Sequence, residues 1–95
     1  GQPRINILPA DLFGHAPTGA TSIGLRPEQI HQGEGQESLV TRVEHLGDQT
    51  RLHLSLKDHD LTTVTDAHTQ LAAGDIVRIS PQNPFFFDAA GDRIH

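Results

Sequence analysis

The sequence predicts an all-β domain of short antiparallel strands, a small barrel or sandwich. Three observations predict it. Residues 51–56 alternate strictly, with Leu52, Leu54 and Leu56 on one face and Arg51, His53 and Ser55 on the other. That is the period of a half-buried strand. Turn signals recur at close spacing, at Gly47-Asp48, at Lys57–Asp60 and at Gly74-Asp75. Nine Gly and six Pro in 95 residues suit a chain of many turns better than a helical bundle.

The elements follow in order. Residues 1–9, "GQPRINILP", are bracketed by Pro3 and Pro9 and read as an extended connector. Residues 10–21 carry Gly14, Pro17 and Gly19 without a sustained period and read as a loop. A strand over 22–26 must stop near Arg26, because Pro27 has no N–H for a ladder and pushes its predecessor to extended geometry. Arg26 and Glu28 are thereby left at a strand end. "HQGEGQE" reads as a polar, Gly-rich turn. "SLVTRVEHL", a turn at Gly47-Asp48 and "TRLHLSLKD" then form a hairpin. "KDHD" turns the chain into "LTTVT", residues 66–72 suggest one helical turn with Asp66 as its cap, and "IVRIS" is a strand ended by Pro81. "FFFDAAGDRI" closes as a tight hairpin. In it Phe85 and Phe87 share one face and Phe86 takes the other, so a contact surface is expected beside the core.

The bulk numbers narrow the function. Four Phe and no Trp, Tyr, Met or Cys leave Leu, Ile, Val and Ala to build one modest core. The missing Met suggests a processed product or a piece of a longer protein. Without cysteine there is no disulfide framework and no thiolate site, which suits a cytosolic domain. No apolar run is long enough to span a membrane as a helix, and no signal peptide is visible. With a net charge of −5 and seven scattered basic residues, a nucleic-acid backbone is repelled. Phe13 and Phe85–Phe87 are the only rings on which bases would stack.

Catalytic motifs are missing. Lys57 is the single lysine and stands outside any Gly-x-x-x-x-Gly-Lys-Ser/Thr loop. No Gly-x-Ser-x-Gly elbow surrounds a serine, and His-Glu-x-x-His is absent. Among seven histidines the best metal-ligand set is His53 with Asp58, His59 and Asp60, whose plain alternative is a solvated strand face and a polar turn. The acidic pairs Glu34/Glu37 and Asp88/Asp92 read as solvated loops. No catalytic, cofactor or metal residue is expected.

Four stretches in one order carry a resemblance. "GQPRINILP", "IGLRPEQI", "VTRVEHLGDQTRLHL" and "FFFDAAGDRI" resemble the C-terminal part of ATPase subunits of carbohydrate ABC importers, the maltose and glycerol-3-phosphate type. There the order is Gly-x-Pro-x-Met-Asn-Phe-Leu, Gly-Ile-Arg-Pro-Glu, Val-Glu-x-Leu-Gly and a Phe-Asp hairpin with Gly. The resemblance covers residues 1–9 and 22–95. It implies a transport-associated OB (TOBE-type) β-barrel at 22–95, with 1–21 as the connector from an upstream ATPase domain. ATP and Mg would bind upstream, none in this fragment.

The resemblance also implies a non-catalytic role in regulating the transporter and joining two ATPase subunits. The implied partners are a second copy of that subunit, the upstream ATPase domain and, in some members, a regulatory protein. Contact with the inner membrane would be indirect, through the permease subunits, at the cytoplasmic side. The motifs reach Gly24, Arg26, Pro27, Glu28, Val43, Glu44, Leu46, Gly47, Phe87, Asp88 and Gly91. Interface or regulatory candidates are Arg26, Glu28, Glu44, Gly47, Phe86 and Phe87. A small-ligand sensor for an oxyanion or sugar is the alternative, although "GEGQES" and the net charge argue against an anion. One departure stands out: only 13 residues, 10–22, fill a gap where the family carries early barrel strands. Either the barrel is abbreviated or a partner chain completes it, and an open strand edge favours a dimer.

Overall fold

The structure, a computed structural model, describes residues 5–95. Eight strands form two four-stranded antiparallel sheets. The first sheet has the order β1 (Asn6–Pro9), β2 (Ser22–Leu25), β7 (Phe85–Phe87), β8 (Arg93–Ile94). The second has the order β5 (His59–Asp66), β4 (Gln49–Leu56), β3 (Ile30–His45), β6 (Ile76–Pro81). The all-β antiparallel class is the one expected. Among the described residues, however, no continuous ladder closes the two sheets into a barrel.

The core lies between the sheets. Leu8, Ile23 and Leu25 of the first meet Val40, Leu52, Leu54, Leu56, Leu61, Val77 and Ile79 of the second. The predicted alternation of β4 holds at every position, with Thr50, Leu52, Leu54 and Leu56 buried. Burying each leucine is worth about 1.5–3 kcal/mol, which fixes the register because a one-residue slip would turn all of them to water. Two buried hydroxyls are satisfied without breaking this packing: Ser38 donates to the Val77 carbonyl at 2.8 Å and Thr63 to that of Pro27 at 2.7 Å.

Three expectations are corrected. The segment "HQGEGQE" is not a turn but part of the 16-residue strand β3. Gln32 and Gln36 both pair with Ile79, so Gly33-Glu34-Gly35 is extruded as a bulge while the ladder resumes on either side. Gly35 has φ +109°, and a Cβ there would lie 2.1 Å from the Ile79 carbonyl oxygen. Only glycine permits that approach. Arg78 then staples the bulge, donating to the Gly35 carbonyl at 3.1 Å and to Glu37 at 3.2 Å.

No helix forms over 66–72. Asp66 does cap a turn there, its carboxylate accepting from the His68 N–H at 3.2 Å, but the chain then runs without regular structure to Gly74. An isolated turn of helix has nothing to repay its nucleation. Residues 6–9, read as part of a connector, are extended but paired: they form β1, in register with β2 from Asn6↔Leu25 to Pro9↔Ser22. Residues 1–4 of that segment lie outside the described residues.

Candidate functional site

Proline 27 is buried and opens a single 3₁₀ turn, Pro27–Gln29, between β2 and β3. The Gln29 side chain locks the turn, accepting from the Arg26 N–H at 2.7 Å and donating to the Asn83 carbonyl at 2.8 Å. Arg26 and Glu28 flank Pro27 as exposed side chains, and among the described residues neither forms an ion pair. The strand ends where the sequence places its end, and the two charges are left facing outward.

Glu44 stands in a different environment. On the outer face of β3 it pairs directly across with Arg51, while the bulge at Thr41 brings Arg42 opposite His53. The carboxylate accepts a hydrogen bond from His53 and pairs with Arg42 at 3.2 Å and Arg51 at 3.8 Å. The His53 hydrogen bond, with the nearby Arg42, His53 and Arg51 charges, holds the Glu44 carboxyl below its ordinary range against a desolvation cost that pushes it up. Gly47, at the tip of the same hairpin, has φ +95° and serves the turn.

A cleft of about 470 Å³ opens beside this cluster. Asn6 and Ile7 of β1 and the preceding Ile5 line it, with Arg42 and His53 from β3 and β4 and Asp60 from β5. Its shape depends on Asn6. The Asn6 amide donates to the carbonyls of Leu25 at 2.9 Å and Thr62 at 3.0 Å, while its oxygen accepts from the Thr62 N–H at 2.8 Å. One side chain thus ties the edge of the first sheet to the edge of the second where no ladder does.

The aromatic run divides as strand geometry requires. Phe86 packs against the core, so this expected contact residue faces inward. Phe85 and Phe87 lie on the opposite face with Gly24, over which the Phe87 ring sits so closely that a Cβ would come within 2.9 Å. Arg93 stacks on Phe85 at 4.4 Å from the ring centre.

The structure therefore brings Glu44 together with Arg42, Arg51 and His53, but it leaves Arg26/Glu28 and Phe86/Phe87 at separate places. Sequence reasoning missed the cleft and Asn6; the asparagine within "INILP" was the available signal. Among the described residues no three His, Asp or Glu side chains converge to hold a metal. Of the candidate set, Asp58 belongs to the β4–β5 turn and His53 is engaged by Glu44. No helix of the described residues is long and apolar enough to cross a membrane.

No curated protein matches the chain. A family profile does, the TOBE domain, over residues 23–84, from the second residue of β2 to just before β7. This span holds the Arg-Pro-Glu turn, the bulged β3 and the Glu44 cluster, and it covers well over half of the sequence. The chain belongs to the TOBE domain family.

Proposed function

We propose that this chain is a regulatory and subunit-interaction domain of the ATP-binding subunit of a carbohydrate-type ABC importer. A TOBE domain is itself non-catalytic, and TOBE domains associate with ABC ATPase subunits. The observation that carries the finer reading is the order of motifs. The Gly-Leu-Arg-Pro-Glu, Val-Glu-x-Leu-Gly and Phe-Asp stretches occur in the sequence of the importer family, and two of the three lie inside the matched span.

In this reading the chain follows an upstream ATPase domain that binds ATP and Mg, and the regulatory unit includes β1 and the core residues Leu8 and Leu12 as well as residues 22–95. The partners are a second copy of the subunit, the upstream domain and a regulatory protein, at the cytoplasmic side of the inner membrane. The outward charges of Arg26 and Glu28, the Glu44 hairpin and the Phe87 face are the contact surfaces. A role in oxyanion sensing is disfavoured by the site chemistry. Asp60, exposed in the cleft beside the Glu44 cluster, repels a lone anion.

The test is deletion of the whole folded unit, residues 6–95, from the parent subunit. Nucleotide binding is retained while dimerisation or control of ATP hydrolysis weakens. Unchanged dimerisation and unchanged control overturn the proposal.

A further inference from the structure

The cleft beside β1 has a charge pattern that selects its occupant. Arg42 is two-thirds exposed despite its pairing with Glu44, and Asp60 is exposed with no ion-pair partner among the described residues. His53, the other titratable group in the lining among the described residues, is hydrogen-bonded to Glu44. A lone anion entering the cleft meets Asp60, and a lone cation meets Arg42. An occupant carrying both signs, apart from one another, satisfies both.

The separation follows from the register. Arg42 stands opposite His53, His53 opposite Thr62, and Asp60 lies two residues along from Thr62. Two strand spacings and two residues of rise put their backbones about 12 Å apart. An α-amino acid or a simple sugar is too short for that span. An extended chain is not: side chains four residues apart lie on one face at about 13 Å. Between the charges lie His53 and Thr62, and on the first sheet's side of the cleft Ile5 and Ile7 are left 37% and 55% exposed. β1 is also the edge strand of its sheet, and such edges accept extended chains.

We propose that this cleft docks an extended peptide segment of a partner protein, with an acidic side chain against Arg42, a basic one against Asp60 and an aliphatic one against Ile5 and Ile7 on the facing side. The inference rests on the reading of the domain as an interaction module and gives that module a specific groove.

The experiment is an NMR titration of the isotopically labelled chain with the blocked pentapeptide Glu-Thr-Leu-Thr-Lys. Two relatives are run beside it, one with Gln at both ends and one with Glu at both ends. The expected result is saturable amide shifts centred on Ile5, Ile7, Thr41, His53 and Thr62 with the Glu/Lys peptide, and weaker binding of the other two. Arg42→Gln and Asp60→Asn each lower the affinity about two- to five-fold, the worth of an exposed charge pair. Arg51→Gln, which touches Glu44 but lies outside the cleft, leaves it unchanged.

Equal binding of the Gln peptide, tighter binding of the Glu/Glu peptide, shifts centred elsewhere, or no saturable shift with any peptide overturns the proposal. Failure here, with ATPase control still lost on deleting the domain, rejects the groove and leaves the proposed function standing. Peptide binding without any effect of the deletion rejects the importer role alone.

Discussion

Asn6 meets Thr62 as one strand meets another. Its side-chain oxygen accepts the Thr62 N–H at 2.8 Å and its amide donates to the Thr62 carbonyl at 3.0 Å, so a single residue reproduces both bonds of a ladder pair. Gln32 repeats the device one step along, donating to the Val64 carbonyl at 3.0 Å. The outer edge of β5 is thereby covered by side-chain amides rather than by a strand, which also shields it from pairing with another chain.

Asn6→Ala is expected to cost about 1–3 kcal/mol, because it removes three hydrogen bonds and leaves both backbone groups of Thr62 unpaired. Urea unfolding measures the loss. Hydrogen exchange at the Thr62 amide should accelerate more than at Leu54, which β4 holds in the core. A change below about 0.5 kcal/mol means water replaces the tie at no cost.

Glu44 makes the domain sensitive to acid. Its folded pKa lies below the unfolded one, so the stability it contributes is complete above about pH 5 and is lost as pH falls through the folded value. Wild type should therefore exceed Glu44→Gln most near about pH 6, and the gap should close towards about pH 3. Denaturant midpoints at the two pH values decide it. A gap that stays constant shows that Glu44 does not titrate differently on folding.

The two glycines of the β3 bulge should respond unequally. Gly33 has φ +122° and open space around it, so Gly33→Ala carries backbone strain of about 1–2 kcal/mol. Gly35→Ala adds a collision with the Ile79 backbone and should cost more than about 3 kcal/mol. Thermal unfolding of the pair, read as a difference, tests the bulge. Equal effects show that β3 and β6 pair in another register.

Phe86 and Phe85 are neighbours with opposite surroundings. Phe86→Ala opens a hole at the core and should cost about 2–3 kcal/mol. Phe85→Ala loses chiefly its contact with Arg93, within about 1 kcal/mol, and keeps the fold. Calorimetry distinguishes them; a Phe85 change as large as that of Phe86 means the outer face is packed against something.

The two-residue turn between β4 and β5 places Lys57 at φ 49° and Asp58 at φ 66°. Both pay for the left-handed region that Asn-Gly enters freely. The double replacement Lys57→Asn with Asp58→Gly should stabilise the domain by about 0.5–1 kcal/mol. A lower melting temperature would count against the turn geometry.

Local signals were enough to determine the strands whose side chains alternate or whose ends are punctuated. Leu52, Leu54 and Leu56 announce β4 because burial on one face imposes a period of two, and Pro27 ends β2 because it has no N–H to donate. The family was legible for the same reason, since its motifs are short stretches in a fixed order. What lay beyond reach depended on atoms far apart in the chain. The bulge at Gly33–Gly35 reads locally as a turn, and only the Ile79 backbone opposite shows it to be strand. Asp66 promises a helix that no neighbouring surface stabilises. Which side of Phe86 meets the core is settled by the pairing of β7 with β2. The cleft and the Asn6 tie exist only because residues 56 positions apart meet across two sheet edges, a juxtaposition set by core packing and invisible to any local pattern.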